Sequence, residues 1–428
     1  MPTHLALGDG LALRSVQSAA DAERYAAFNA QQVSEIQGIT CAKLLAYHPT
    51  MRWDDFLFVE DTASGDMVSC TCLIPWQCRV GPVDLRVAML EMVVTHPDYR
   101  HRGLVRRQIE HFHQCAAAQN FDLCIIEGIP YYYRQFGYGY ATDHWASDGL
   151  ALARVPAKEG SFSIRLRAVT GADIETLDRF YAQSMGQLDA WTTRNPAYWH
   201  YLIEGANAPV ILIEDIHSGA ALGYGMAWRN DAGAYIAESA FASAEVALEL
   251  LQWCKAHVTG ELILGWPAQS VLVQVARSLG SSVRPADQWL LRVVDIPTVL
   301  IKLAPALASR LAASPYAGLT TDLTLNLFRQ AYLLRFEQGA LVAVQELGFV
   351  DASMGADGGD LCMAPDAFIR LLLGYRTLDA LTDAWPDTVV RPTRRHLWQT
   401  LWPRQTVYFW NPYMAFGAET QPLWGDVG

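Results

Sequence analysis

The chain is short of several things, and each shortage narrows what it can be. No apolar run in its 428 residues approaches the roughly 20 that a membrane-spanning helix requires, so no membrane span is expected. Basic residues are few: 32 Lys and Arg stand against 44 Asp and Glu, a net charge of −12. A nucleic-acid partner demands a basic surface, so none is expected. A cationic amine is compatible with this charge. The eight cysteines, Cys41, Cys70, Cys72, Cys78, Cys115, Cys124, Cys254 and Cys362, include no C-x-x-C pair and no Cys/His set at zinc spacing. No metal is expected, and the cysteines read as buried reduced thiols. Met1 to Gly10 has neither a basic segment nor a long apolar one, so no secretion signal is expected and the cytoplasm is the default. With 51% hydrophobic and 18% charged residues the chain reads as globular. At roughly 100 to 200 residues per domain it should form two to four domains.

What is present centres on Leu90 to Gly139. Val87 to Thr95 is an apolar run with the length and β-branched content of a buried strand. After a turn at His96-Pro97-Asp98 comes Arg100-His101-Arg102-Gly103-Leu104-Val105, a basic loop with one glycine. It leads into a helix over Val105 to Ala118, where Leu104, Ile109, Phe112 and Ala116 recur at roughly helical spacing. Strand, basic glycine loop and helix make an anion site: first-turn N–H groups are unpaired and partly positive, and glycine lets a phosphate approach. A second strand, Leu123 to Ile126, precedes Glu127-Gly128-Ile129-Pro130-Tyr131-Tyr132-Tyr133-Arg134-Gln135-Phe136-Gly137-Tyr138-Gly139.

At these residues the chain resembles the GNAT superfamily of acetyl-CoA-dependent N-acetyltransferases. The family loop reads Arg/Gln-x-x-Gly-x-Gly/Ala, and Val105 departs from it at the last position. With Tyr133-Arg134-Gln135-Phe136-Gly137-Tyr138-Gly139 one strand further on, the stretch is similar to the Eis-type (enhanced intracellular survival) branch, which tolerates a bulky residue there. Elsewhere the resemblance is architectural. It implies an α/β (α+β) fold: a catalytic GNAT domain over 1–157, a second, degenerate GNAT-like mixed-sheet domain over 158–296, and a sterol-carrier-protein-like α+β domain with a tail over 297–428. It also implies acetyl-CoA as co-substrate and a homo-oligomer.

In chain order, Leu11 to Ser15 reads as a strand and Ala19 to Gln32 as a helix behind Ser18. Gln37 to Trp53 shows no clear period. Phe56 to Glu60 and Met67 to Pro75 form a hairpin. Together with the strands of Tyr138 to Leu152 these are expected to make one mixed sheet. Beyond a linker at Pro156 to Ser161, strands at Ser163–Ala168, Val210–Glu214 and Leu222–Trp228 and helices at Gly171–Gln183 and Glu245–His257 repeat the order. Ala240 to Ala244 stands where the basic loop should and has no cation, so this repeat is expected to bind no cofactor. A helix over Pro297 to Ser314, strands at Leu323–Phe328, Tyr332–Phe336 and Ala340–Gln345, and a helix at Ala367–Gly374 complete the third part. Gly355 to Asp360 lacks the closing glutamate of an EF-hand and reads as a hairpin turn. Thr406 to Trp410 reads as the last strand.

Acetyl transfer from a thioester to an amine needs a pyrophosphate anchor, a donor for the carbonyl oxygen, a base for the ammonium and an acid for the thiolate. The backbone of His101, Gly103, Leu104 and Val105, with Arg100, Arg102 and Arg106, supplies the anchor. By resemblance, N–H groups near Val93, Val94 and Thr95 hold the pantetheine arm and the acetyl carbonyl. Tyr133 aligns with the family's acid; Tyr131, Tyr132 and Tyr138 compete with it. Glu91, the one acid inside the central strand, is a costly residue to bury unless it works or is paired, and it is expected on the same face as Val93 and Thr95. It is read as base, or else as a salt-bridge partner of Arg86 or Arg106. His96, His101, His111 and His113 read as surface residues. The Eis-type branch implies a terminal carboxylate as base, here Gly428. The end Trp424 to Gly428 is small, without a bulky anchor, so the tail is expected to cover the acceptor pocket through Trp410, Tyr413 or Phe416 and to tolerate loss of Leu423 to Gly428. The reaction expected is direct transfer to a primary amine in a ternary complex. An aminoacyl- or longer-acyl transferase and a non-catalytic acyl-CoA sensor are the rivals, and no residue selects the acceptor.

Overall fold

The computed structural model describes residues 3–230, 233–265, 267–352, 358–416 and 421–423. The chain opens with strands β1 (His4–Gly8) and β2 (Leu11–Ser15), then helices α1 (Ala19–Gln32) and α2 (Glu35–Tyr47). Each helix starts behind a serine whose hydroxyl accepts from the N–H three residues on, Ser18 from Asp21 and Ser34 from Gln37. Most of the stretch without a period is therefore α2. Its buried side, Gly38, Thr40, Cys41 and Leu44, mixes small and polar residues and gives little contrast between faces. There follow β3 (Phe56–Asp61), β4 (Met67–Val80), β5 (Val83–Thr95), α3 (Leu104–Ala118), β6 (Leu123–Ile126), β7 (Gly139–His144) and β8 (Ser147–Ala151). Strands β2 to β5 are antiparallel in turn, and β6 lies parallel to β5 because α3 carries the chain across.

The next part comprises β9 (Ile164–Ala168), α4 (Ile174–Met185), β10 (Ala190–Thr193), α5 (Pro196–His200), β11 (Val210–Asp215), β12 (Ala221–Asn230), β13 (Gly233–Phe241), α6 (Ala244–His257), β14 (Glu261–Gly265), α7 (Val271–Ser278), β15 (Ser282–Val283) and β16 (Asp287–Val293). It repeats the first pattern: β9, β11, β12 and β13 are antiparallel in turn and β14 is parallel to β13 across α6. The two sheets then exchange strands. β8 leaves the first sheet and pairs with β14, while β16 inserts between β6 and β7. The expectation that all of Tyr138 to Leu152 joins the first sheet is thereby corrected. Alternation marks a strand but does not name its partner.

The last part holds α8 (Ile296–Lys302), α9 (Ala304–Ala312), β17 (Thr321–Asn326), β18 (Ala331–Glu337), β19 (Ala340–Gly348), β20 (Leu361–Cys362), α10 (Pro365–Leu372), α11 (Leu378–Ala384), β21 (Val389–Val390), α12 (Arg395–Leu401), β22 (Val407–Tyr408) and β23 (Gln421–Pro422). Its sheet runs β19-β18-β17-β20-β21. The single helix expected over Pro297 to Ser314 is two, because Pro305 in the first turn of α9 has no N–H to continue a helix from α8. Of the turn read at Gly355 to Asp360, residues 355–357 lie outside the described residues. One apolar core joins all three parts, with Trp76 of β4, Trp199 of α5 and Trp398 of α12 buried in it. All eight cysteines are free thiols, seven of them buried. Among the described residues no helix is long and apolar enough to cross a membrane, and no group of three or more His, Cys, Asp or Glu could hold a metal ion.

Candidate active site

β5 and β6 pair only from Val87 to Met89 against Leu123 to Ile125. Beyond Met89 the β5 edge toward β6 has no strand partner among the described residues, so it lacks the ladder hydrogen bonds of a paired edge. On its other edge β5 carries a bulge: Glu91 faces Cys72 and Val94 faces Cys70, so Met92 and Val93 together oppose Thr71. Met92 takes a left-handed φ of 56° to make it. Such a bulge re-aims side chains. Met92 lies with Met89 in the large core, whereas Val93 packs with Leu90 toward α3, and the Thr95 hydroxyl meets Ser69 Oγ at 2.8 Å, which itself bonds Gln108 of α3. Val93 and Thr95 therefore face α3, and Glu91 faces away from it. The expectation of a shared face is corrected.

Gly103 ends the loop with φ 75° and stands as the N-cap of α3, with no side chain accepting from the first turn. His101 is left-handed too, at φ 63°. The first-turn N–H groups are thus unpaired and aimed past a glycine, in a cluster where Arg100, Arg102 and Arg106 are exposed. A cleft of about 720 Å³ lies over them. It is lined by Val93, Val94, Thr95, Arg100, His101, Gly103, Leu104, Val105 and Arg106, and by Tyr133 on the far wall. Arg102 is not part of the lining. Its guanidinium lies 4.6 Å from the Tyr99 ring centre and reaches the Asp98 carbonyl at 3.3 Å. The second repeat lacks this opening: α6 begins behind Ser243, whose hydroxyl accepts from the Val246 N–H.

Tyr133 sits in a short 3-10 turn, Tyr132–Phe136, entered through Tyr131 at φ 69°. Its ring is buried edge-on between Tyr132 and Tyr138. It also depends on Gly128, because a Cβ there would overlap the Tyr133 ring. Burial, and then the charges of Glu91 and Tyr132, push the hydroxyl well above its ordinary pKa. It therefore holds its proton at neutral pH. Its rivals are placed differently. Tyr131 is exposed, Tyr138 is buried with its hydroxyl 3.1 Å from His113 Nε2, and Tyr132 lines the cleft beside Tyr133. His111 and His113 are half-buried rather than on the surface as expected: His111 meets Thr3 Oγ1 at 3.1 Å, and burial holds His113 down to about 4.

Glu91 is half-buried, and its pKa is pushed up to about 8 by burial and by the neighbouring Glu127, opposed by hydrogen bonds from the Tyr413 hydroxyl and the Met92 N–H. The salt bridge read as an alternative does not form. Arg86 lies 4.5 Å from the Phe121 ring centre, and Arg106 donates to Gln135 Oε1 at 2.6 Å. Glu127, which the sequence reading passed over, ends the second central strand as Glu91 interrupts the first. The same test, an acid inside or closing an apolar run, would have found it. Burial raises its pKa as well, and the Trp145 indole opposes the shift.

Tyr413 reaches Glu91 on a strap that crosses both repeats. The Trp410 N–H donates to Thr192 Oγ1 at 3.1 Å, Tyr198 donates to the Pro412 carbonyl at 2.8 Å, Tyr201 donates to the Tyr413 carbonyl, and the Ala415 N–H donates to Thr40 Oγ1 at 3.1 Å. Of the expected last strand only Val407–Tyr408 is regular, and Gln421–Pro422 adds a further strand beside β12. Leu423 is fully buried in the second core, so the expectation that it can be deleted is corrected. Gly428 lies outside the described residues.

Residues 23–141 match the family model of an acetyltransferase (GNAT) domain. No curated protein matches the chain. Among solved structures, the fold is similar to a protein from Enterococcus faecalis described as a probable N-acyltransferase, at 16% identity over 96% of this chain and 100% of that one, with a TM-score of 0.71. A GCN5-related N-acetyltransferase from Anabaena variabilis aligns at 15% identity over 95% and 100%, with a TM-score of 0.69. Eis1 from Mycobacterium abscessus aligns at 16% identity over 95% and 100%, with a TM-score of 0.58. At these identities the likeness concerns the fold, which extends over the whole of each of these chains.

Proposed function

We propose that the chain is an acetyl-CoA-dependent N-acetyltransferase that moves an acetyl group to a primary amine by direct transfer in a ternary complex. The observation that carries this reading is the parting of β5 from β6 after Met89, beside a helix N-terminus with no side-chain cap. An open strand edge next to an anion cradle suits a long thioester arm that ends in a pyrophosphate. The GNAT match over residues 23–141 supports it. In this reading the C-terminal part corresponds to the sterol-carrier-protein-like domain of the Eis-type branch.

N–H groups of Val93 to Thr95 donate to the acetyl carbonyl as its oxygen becomes negative. Glu91 takes the ammonium proton, directly or through one water, and frees the nitrogen lone pair. As the N–C bond forms and the C–S bond breaks, Tyr133 gives its proton to the departing thiolate and recovers one from solvent. Glu127, beside Glu91, adds negative charge where a cationic acceptor would enter. Calorimetric titration with CoA and acetyl-CoA, followed by thiol release against a panel of amines, tests the reading. Binding without thiol release on any amine would favour a sensor, and no binding would sink the assignment.

A further inference from the structure

A cleft of about 310 Å³ lies at the opposite end of α3 from the glycine loop, roughly 20 Å along the helix. The first repeat, the second repeat and the strap all contribute to it. Its walls include Trp76, Phe121 and Tyr198, its charges are arginines, and no carboxylate lines it.

Two of these arginines converge on one neutral residue. Arg52 Nη2 donates to Gln119 Oε1 at 3.2 Å, and Arg86 Nη1 donates to the Gln119 carbonyl. Each contact uses one N–H of five and neutralises neither charge, and two guanidinium groups gathered on one residue repel. The Arg86 guanidinium has no ion pair among the described residues, and Arg52 has only Asp55, at 3.8 Å. The third arginine, Arg194, is fully buried and held by Glu238 at 2.7 Å, so it contributes no free donor pair. One arginine without an ion pair and one with only a long one, set in a recess on a chain of net charge −12, form a local attractor for an anion. Guanidinium forks suit the oxygens of a phosphate or carboxylate, and the aromatic walls suit an apolar body.

We propose that this cleft binds a small organic anion, a phosphate or carboxylate on an apolar body, with Arg52 and Arg86 on its oxygens. Tyr198 and Asn411 line the same cleft, so the ligand bridges the first repeat to the strap two residues before Tyr413. The site stands independently of the transferase reading.

Thermal shift with phenyl phosphate and with inorganic phosphate tests it on the full chain, each variant being read against its own ligand-free Tm. Phenyl phosphate should raise the wild-type Tm at lower concentration than inorganic phosphate. Arg52→Gln and Arg86→Gln should each weaken its apparent affinity by about tenfold, and the double variant should abolish the response. Arg100→Gln, in the α3 loop, should leave it intact. Both cleft arginines are largely exposed, so their replacement spares the core. A response that survives Arg52→Gln and Arg86→Gln but is lost in Arg100→Gln would move the anion to the α3 loop and overturn the proposal. So would equal responses in every variant, or none in the wild type.

Discussion

Replacing Glu91 by Gln keeps the side chain's size and removes its charge, so it separates the two effects of a buried carboxyl. In the unfolded chain the group titrates near its ordinary 4.5, and in the folded chain at about 8. Because the folded value is the higher one, the folded chain keeps its proton across a window in which the unfolded chain has lost it. The stabilising contribution is therefore complete below pH 4.5 and is lost as pH rises toward and through 8. At about 1.4 kcal/mol per pH unit the full window would amount to roughly 5 kcal/mol. Glu91 is only half-buried, and water relaxing around its charge reduces this to about 1–3 kcal/mol. Gln has nothing to titrate. Urea denaturation should give wild type and Glu91→Gln similar stability at pH 4.5, and the variant about 1–3 kcal/mol more at pH 9. Activity should move the other way. If the carboxylate is the base, the wild-type kcat/KM for the amine climbs up to about pH 8, and the variant loses roughly 10² to 10⁴ in kcat, most visibly above pH 8 where the wild-type group is ionised. A variant as active as wild type at pH 9, or no stability difference between the two pH values, would refute the reasoning.

Gly103→Asp places a negative side chain in open space at a φ of 75°, costing about 1 kcal/mol of backbone strain; calorimetry should show acetyl-CoA binding lost while circular dichroism is unchanged. Tyr133→Phe should lower kcat by roughly 10² to 10⁴ with acetyl-CoA affinity retained, and Gly128→Ala, which displaces the same ring, should lower kcat too but with a fall in Tm. Tyr413→Phe removes a hydrogen bond that lowers the Glu91 pKa, so the inflection in the pH–rate profile should move up. Ending the chain after Leu423, whose side chain fills the second core, should leave kcat nearly intact if Glu91 is the base, and should abolish activity if the terminal carboxylate is.

Local chemistry was legible wherever neighbours in sequence are neighbours in space. The run from Val87 to Thr95, the loop through Gly103 and the helix behind it are one continuous stretch, and their physics is the unpaired N–H groups of a helix start. The tyrosine segment is local as well, whereas the packing of the Tyr133 ring against Gly128, where a Cβ would overlap it, was visible only in the structure. The absence of a cation at Ala240 to Ala244 was likewise plain in the sequence, and the structure adds the reason that matters to a ligand: Ser243 already occupies the helix start.

Long-range pairing was decided only by the tertiary structure. Strand β8 falls in a stretch read as strands and β16 in one that was not, and their exchange between the sheets follows from which apolar edges meet across more than 100 residues, for alternation carries no address. The bulge at Met92 turned Glu91 away from Val93 and Thr95, an outcome set by the register against Cys70 and Cys72 on β4. The strap is the furthest case. That Tyr413 would meet Glu91, more than 300 residues earlier, depends on hydrogen bonds to Thr192, Tyr198, Tyr201 and Thr40, which exist only once both repeats are folded. The sequence by itself determined most kinds of element and the uncapped glycine start of α3, because those follow from the conformational preferences and unpaired groups of contiguous residues. The tertiary structure decided which acid is buried beside which hydroxyl, because burial and pKa depend on everything that packs around a group.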